Sequence, residues 1–296
     1  STQSRSSAAS DVYKRQVLNY NELKRLLDTI KSSFDFSSLK EWTIEVSPSS
    51  ISRDKLEIIE SYGINRISVG VQSFSDKILA KLGRRHSSKA THQILKMIKK
   101  TAIKLNIDLI FASPFTTDIE WQTDINYALN CEPEHISIYP LSIEEGTFFH
   151  QMIIKKELPE IDEKLEIQKI AAAEKTLSLA GYYRYEISNY ARKGNECRHN
   201  FAFWHGGDYL GLGPSAVSRI GHLRKINVAS LKQWSKISRD SYELEILPYS
   251  KDRAERIAFA FRLLNYPVIV ENFIPGEKLI TKGWYMIIKD LSLIHI

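Results

Sequence analysis

Asp108 stands among Ile107, Leu109, Ile110 and Phe111, where an ionised carboxylate costs several kcal/mol unless it is paired or hydrogen-bonded. Such a site calls for a ligand or a cation, with a structural salt bridge at a strand end as the alternative. Glu45 is placed similarly, just ahead of Ser47 and Pro48, and the same alternative applies. The stretch SVGVQSF, Ser68 to Phe74, sets Gly70 within a strand, which weakens it unless another group approaches the backbone closely. Gln72 then presents an amide at the rim, although a bulge explains the glycine too. Arg84, within Leu82 to His86, ends a helix with cations that complement its dipole. His199 and His205 have no carboxylate or cysteine at a recognised metal-ligand spacing, so each reads first as a packed, hydrogen-bonded histidine.

The elements that must position these groups alternate along the chain. Strand-like Glu41 to Val46, Arg66 to Val71, Asn106 to Ala112 and His135 to Leu141 are separated by helix-like Asp54 to Tyr62, Lys89 to Lys100 and Asp118 to Leu129, with a further helix at Asn21 to Ile30. Alternation of this type implies crossover connections and a parallel sheet. The period of two gives one uniformly apolar face: Ile44 and Val46; Ile67, Val69 and Val71; Ile107, Leu109 and Phe111; Ile136 and Ile138. Helices should cover it. The other face carries Thr43, Glu45 and Ser47, then Ser68, Gly70 and Gln72, then Asp108 and Ala112, then Ser137 and Tyr139. A doubly wound sheet needs both faces apolar, whereas a barrel turns one toward a lumen able to hold a polar ligand. The asymmetry favours a barrel, and four strands are too few to close one.

The chain has 296 residues, 43% of them apolar and 26% charged, with 13 glycines and 9 prolines, the composition of a folded globular protein. The formal charge of +6 includes Arg5, Lys14 and Arg15 against Asp11 in the first sixteen residues; the rest is scattered and implies no nucleic-acid partner. Cys131 and Cys197 stand far apart, which excludes a disulfide framework and any cysteine-only metal site within the chain. With no secretory leader and no long apolar run, the sequence reads as cytoplasmic rather than integral to a membrane. Residues 1–16 and the ending LSLIHI at 291–296 read as non-native ends, the first an unstructured tail, and the chain as an internal piece of a longer protein. Tyr185 to Ser218, rich in glycine and aromatics, has no clean period, as in segments that carry function.

Several motifs occur in a consistent order: EVSP, GINRISVGVQSF, LGRRH, IDLIFASP, EHISIYPLSIEEGT, YEISNYAR, CRHNFAFW and DYLGLGPSA. Together they resemble the radical S-adenosylmethionine proteins related to oxygen-independent coproporphyrinogen III oxidase, and most closely their heme-chaperone branch. The resemblance implies an α/β fold, a partial (β/α)6 barrel holding S-adenosyl-L-methionine beside a 4Fe-4S cluster, with the first two strands missing here. The barrel and the segment after it would occupy 17–222, and a small, mostly helical, incomplete C-terminal domain 223–290, with helical Arg256 to Leu264 and apolar Trp284 to Ile288.

Carried over by motif, Glu45, Gln72, Arg84 and Asp108 match positions that contact S-adenosylmethionine, and His199, Asn200 and Trp204 the heme-binding motif, with Phe203 where tyrosine is usual. The family's C-x3-C-x2-C loop and GGTP turn are not present, so the chain as written is expected to bind no cluster and to be inactive. The parent would bind heme and pass it to membrane respiratory proteins. The alternative parent is a true coproporphyrinogen III oxidase, which carries out radical decarboxylations; Trp204 follows the chaperone pattern. A cluster-free enzyme using Glu45 and Asp108 as acid and base is the remaining reading.

Overall fold

The computed structural model describes residues 18–264 apart from 112–114, 144, 160–161, 237 and 239–240. The two ends expected to be non-native, Ala112 and the segment Trp284 to Ile288 lie outside the described residues. The chain divides into two compact units, residues 1–196 and 197–296.

Among the described residues, the first unit opens on helix α1 (Tyr20–Ser33), whose Asn19 and Glu22 form a capping box. Strand β1 (Thr43–Val46), α2 (Arg53–Ser61), β2 (Arg66–Gln72), α3 (Asp76–Lys81), α4 (Ser88–Ile98), β3 (Lys104–Phe111), α5 (Asp118–Asn130) and β4 (His135–Pro140) follow. After β4 come α6 (Phe148–Ile154), α7 (Glu163–Leu179), β5 (Tyr183–Arg184) and β6 (Asn189–Ala191). The sheet runs β1-β2-β3-β4-β6-β5; β1 to β4 are parallel, and β6 pairs antiparallel with both β4 and β5. The four parallel strands and the helices between them are those the periodicity predicts. The two antiparallel strands are not, because two or three residues are too few to show a period.

The apolar face is covered as expected. Ile67, Val69, Val71, Ile107, Leu109, Phe111 and Ile136 are all 0% exposed and share one core with Ile59, Leu95, Ile98, Trp121 and Ile125 of α2, α4 and α5. Each such side chain contributes ~1.5–3 kcal/mol through burial, so this face is where the sheet's stability is concentrated. Helix α5 starts at a second capping box, where the Thr117 N–H, then the Lys77 ammonium and the Thr117 hydroxyl, hold the Glu120 carboxyl down to about 2.

The second unit contains α8 (Arg198–Trp204), β7 (Val217–Ile220), β8 (Leu223–Asn227), α9 (Leu231–Trp234), β9 (Tyr242–Ile246) and α10 (Tyr249–Ala260), with an antiparallel sheet β7-β8-β9. The division expected after residue 222 would cut the hairpin in which Ile220 pairs with Leu223. The units part at Glu196 and Cys197 instead, because the ladder makes β7 inseparable from β8. Arg219 of β7 and Arg224 of β8 meet Asp252 and Glu255 of α10 in ion pairs, and the Arg219–Asp252 pair is buried. Arg256 adds a second cation to Asp252 at 2.9 Å. Pairing of this kind is what allows such charges inside a small unit.

Candidate functional site

The polar side of the parallel sheet is built by register. Glu45 lies opposite Ser68, Ser68 opposite Asn106 and Asn106 opposite His135; one row further along, Gly70 lies opposite Asp108 and Asp108 opposite Ser137. Neighbouring strands are ~4.8 Å apart, so side chains within and between these rows come into hydrogen-bonding reach. Ser68 Oγ donates to Asp108 Oδ2 at 2.8 Å, and Asn106 Nδ2 lies 2.7 Å from both Ser68 Oγ and Asp108 Oδ1 and 3.1 Å from Ser137 Oγ. Burial pushes the Asp108 carboxyl up to about 6 against these donors, and the nearby charge of Glu45 adds to the rise. The Tyr139 phenol is pushed well up, first by desolvation and then by Asp108.

Gln72 reaches this side through an irregularity. Gly70 pairs with Asp108 but Gln72 with Leu109, so β2 carries a bulge at Val71, and Gln72 takes a left-handed φ of 68°. Bulges re-aim side chains, and a non-glycine residue in this region is held by its surroundings. A Cβ on Gly70 would stand 2.9 Å from Gln72 Nε2, so the amide folds back over bare backbone where only glycine leaves room. Both of the explanations open for Gly70, a bulge and a close approach, therefore hold, and the approaching group is the protein's own. Two buried residues secure the turn: Asp124 of α5 accepts from Ser73 Oγ at 2.6 Å and from the Phe74 N–H at 2.7 Å, and His86 Nε2 lies 3.0 Å from the Val71 carbonyl.

Glu45 is exposed, and Gly70, Gln72 and Asp108 retain part of their accessible surface, whereas neighbours of opposite parity, Val69, Val71, Ile107 and Leu109, have none. The sheet thus brings Glu45, Gln72 and Asp108 to one accessible polar side. Arg84 follows the end of α3, half-buried; its charge adds to burial in pushing the His86 imidazole down. His199, Asn200 and Trp204 belong to the second unit. His199 is exposed on the first turn of α8, Asn200 is half-buried, and Trp204 is 8% exposed, packed against Phe203 and Phe259 with the Arg262 guanidinium 4.3 Å from its ring. At ~100° per residue, five positions separate His199 and Trp204 by ~140° around the helix, so they occupy different faces.

The residues that sequence reasoning missed are Asn106, His135, Tyr185, Asp124 and His86. Asn106 and His135 stand two positions before Asp108 and Ser137, so the same alternation places them on the polar face. Nothing in the sequence marks Tyr185 as the partner of His135, fifty residues earlier.

The Radical SAM superfamily profile matches residues 11–128. Heme chaperone HemW of Bacillus subtilis is 34% identical over 221 residues, covering 73% of this chain and 58% of that protein. The chain belongs to the radical S-adenosylmethionine family, in its HemW-like branch. The mitochondrial radical S-adenosyl methionine domain-containing protein 1 of Bos taurus is 30% identical over 239 residues, covering 78% of this chain and 53% of that protein. The chain thus spans a little over half the length of these relatives. The solved coproporphyrinogen III oxidase HemN of Escherichia coli, at 22% identity, superposes with a TM-score of 0.73 over 94% of this chain and 68% of that one. The partial radical S-adenosylmethionine barrel expected from sequence is therefore the fold. No helix among the described residues is long and apolar enough to cross a membrane.

Two groups follow from the family, and the residues present fit them differently. S-adenosylmethionine fits the polar side: carboxylates at Glu45 and Asp108 can accept from hydroxyl or ammonium groups, and the Gln72 amide can both donate and accept. A 4Fe-4S cluster held by three thiolates does not fit, because the chain has two cysteines, Cys131 in the first unit and Cys197 in the second.

Proposed function

We propose that this chain binds S-adenosyl-L-methionine on the polar side of its parallel sheet. Glu45, Gln72 and Asp108 serve there as acceptors and donors, and Arg84 serves as partner for the ligand carboxylate. The observation that carries the reading is Asp108: a carboxylate set in a buried row and held by Ser68 and Asn106, in a residue that keeps part of its accessible surface. A carboxylate so desolvated gains more from a cationic or hydroxylated ligand than one in water does. When bound, S-adenosylmethionine supplies an adenosyl sulfonium; this chain's own residues bind and orient it. Gln72, fixed by its bulge, sets an amide over Gly70, and Ser68 and Asn106 hold Asp108 facing the same side.

With no cysteine set for the cluster, the chain as given is a binding protein for the cofactor rather than a catalyst of its cleavage. Isothermal calorimetry tests this directly. S-adenosylmethionine should bind the wild-type chain and bind Asp108→Ala about tenfold more weakly; equal affinities would reject Asp108 as a contact.

For the whole protein, of which this chain spans a part, we propose heme binding through His199 and Asn200, cytoplasmic residence, and delivery of heme to membrane respiratory proteins. The support is the family of heme chaperones together with the position of His199, an exposed residue on the first turn of α8 and of a type that ligates heme iron. Trp204 contributes by packing α8 rather than by facing the ligand. A coproporphyrinogen III oxidase activity is the competing reading. Appreciable formation of protoporphyrinogen by the full-length protein, reconstituted with its cluster without oxygen, would favour it.

A further inference from the structure

We propose that His135 and Tyr185 are positioning residues for Asp108, acting through the side-chain amide of Asn106. The proposal rests on the reading of Asp108 as an S-adenosylmethionine contact, and it concerns residues which that reading does not use.

The four side chains form one connected line. Asn106 Nδ2 lies 2.7 Å from Asp108 Oδ1, His135 Nδ1 lies 2.6 Å from Asn106 Oδ1, and His135 Nε2 lies 2.8 Å from Tyr185 Oη. Asn106, His135 and Tyr185 are all buried, the last completely. With Asp108 ionised and His135 neutral, one arrangement of protons satisfies the whole line. A carboxylate accepts only, so Asn106 must turn its NH2 toward Asp108 and its oxygen toward His135. His135 Nδ1 must then carry the proton and Nε2 must accept, which requires the Tyr185 hydroxyl to donate.

Burial, reinforced by Arg66, pushes the His135 imidazole down to about 3, so the neutral ring this line requires is the one present at physiological pH. The direction of Asn106 matters because a flipped amide would set an oxygen against the carboxylate. The other groups bearing on Asp108 are Glu45 from β1, Ser68 from β2, and Ser137 and Tyr139 from β4; the Glu186 charge acts on Tyr139. Of these, Ser137 also reaches the Asn106 oxygen, its hydroxyl donating at 3.3 Å. His135 holds that oxygen at 2.6 Å and is its principal partner, and Tyr185 selects the tautomer of His135.

The test follows the Asp108 titration by NMR of 13Cγ-labelled aspartate in the full chain, assigned by the resonance lost in Asp108→Asn, alongside calorimetry with S-adenosylmethionine. His135→Leu and Tyr185→Phe should each raise the Asp108 midpoint by about one pH unit and weaken binding about tenfold. His135→Gln, which can donate to Asn106 and accept from Tyr185, should restore both values. A packing role alone would lower stability without moving the midpoint. Should His135→Leu fail to fold, Tyr185→Phe, which loses one oxygen, carries the test. An Asp108 midpoint unchanged in the folded variants overturns the proposal. Shifted midpoints in a protein that binds no S-adenosylmethionine uphold the positioning and reject the binding reading.

Discussion

Asp124, on the helix-covered side of the sheet, accepts a hydrogen bond from Ser73 Oγ at 2.6 Å, and so fastens the turn that carries Gln72 on the opposite side. The carboxylate is 2% exposed and also takes the Phe74 N–H. Replacing it by alanine leaves both donors buried and unpaired. Asp124→Ala should lower stability by about 3 kcal/mol, read as a shift in the urea midpoint at unchanged slope. A loss within experimental error would show that the turn does not depend on it.

Asp108 should impose a pH dependence of a particular sign. Its carboxyl rises from the ordinary 3.8 to about 6 in the folded protein, so the folded state holds a proton that the unfolded state has released. Its contribution is present below the ordinary value and is lost as pH climbs through about 6, amounting to about 3 kcal/mol between those limits. Asp124 is pushed in the same direction, so the comparison must be with a variant. The stability of Asp108→Asn relative to wild type should rise between pH 4 and pH 7, measured by urea denaturation at several pH values (limits set by the ordinary and shifted values). A difference independent of pH would mean that Asp108 titrates normally.

Gly70→Ala separates binding from folding. The new methyl would meet the end of the Gln72 side chain, which is able to swing away, so stability should change by less than about 1 kcal/mol. Displacing Gln72 should weaken S-adenosylmethionine binding about tenfold by calorimetry. Undiminished affinity would remove Gln72 from the site.

On α8 the two aromatic positions should behave oppositely. Trp204→Ala empties a packed position beside Phe203, Phe259 and Arg262 and should cost about 3–5 kcal/mol in thermal or urea unfolding. His199→Ala, at an exposed position, should change stability by less than about 0.5 kcal/mol yet lower heme occupancy in the full-length protein, followed by heme absorbance. Unaltered heme stoichiometry would exclude His199 as a ligand.

The sequence alone determined the four parallel strands, their connecting helices and the polarity of each face. Alternation at period two is a local property that survives in any parallel sheet: Ile67, Val69 and Val71 had to fall on one side and Ser68 and Gly70 on the other. It also placed Asp108 and Glu45 on that second side. Only the tertiary structure decided which polar groups meet. The bulge that turns Gln72 over Gly70 comes from register, the Asn106, His135 and Tyr185 line joins segments fifty residues apart, and Trp204 is drawn into a core that its own helix does not define. Periodicity reports the side of an element on which a residue lies, whereas contact depends on how elements separated in the chain are brought together.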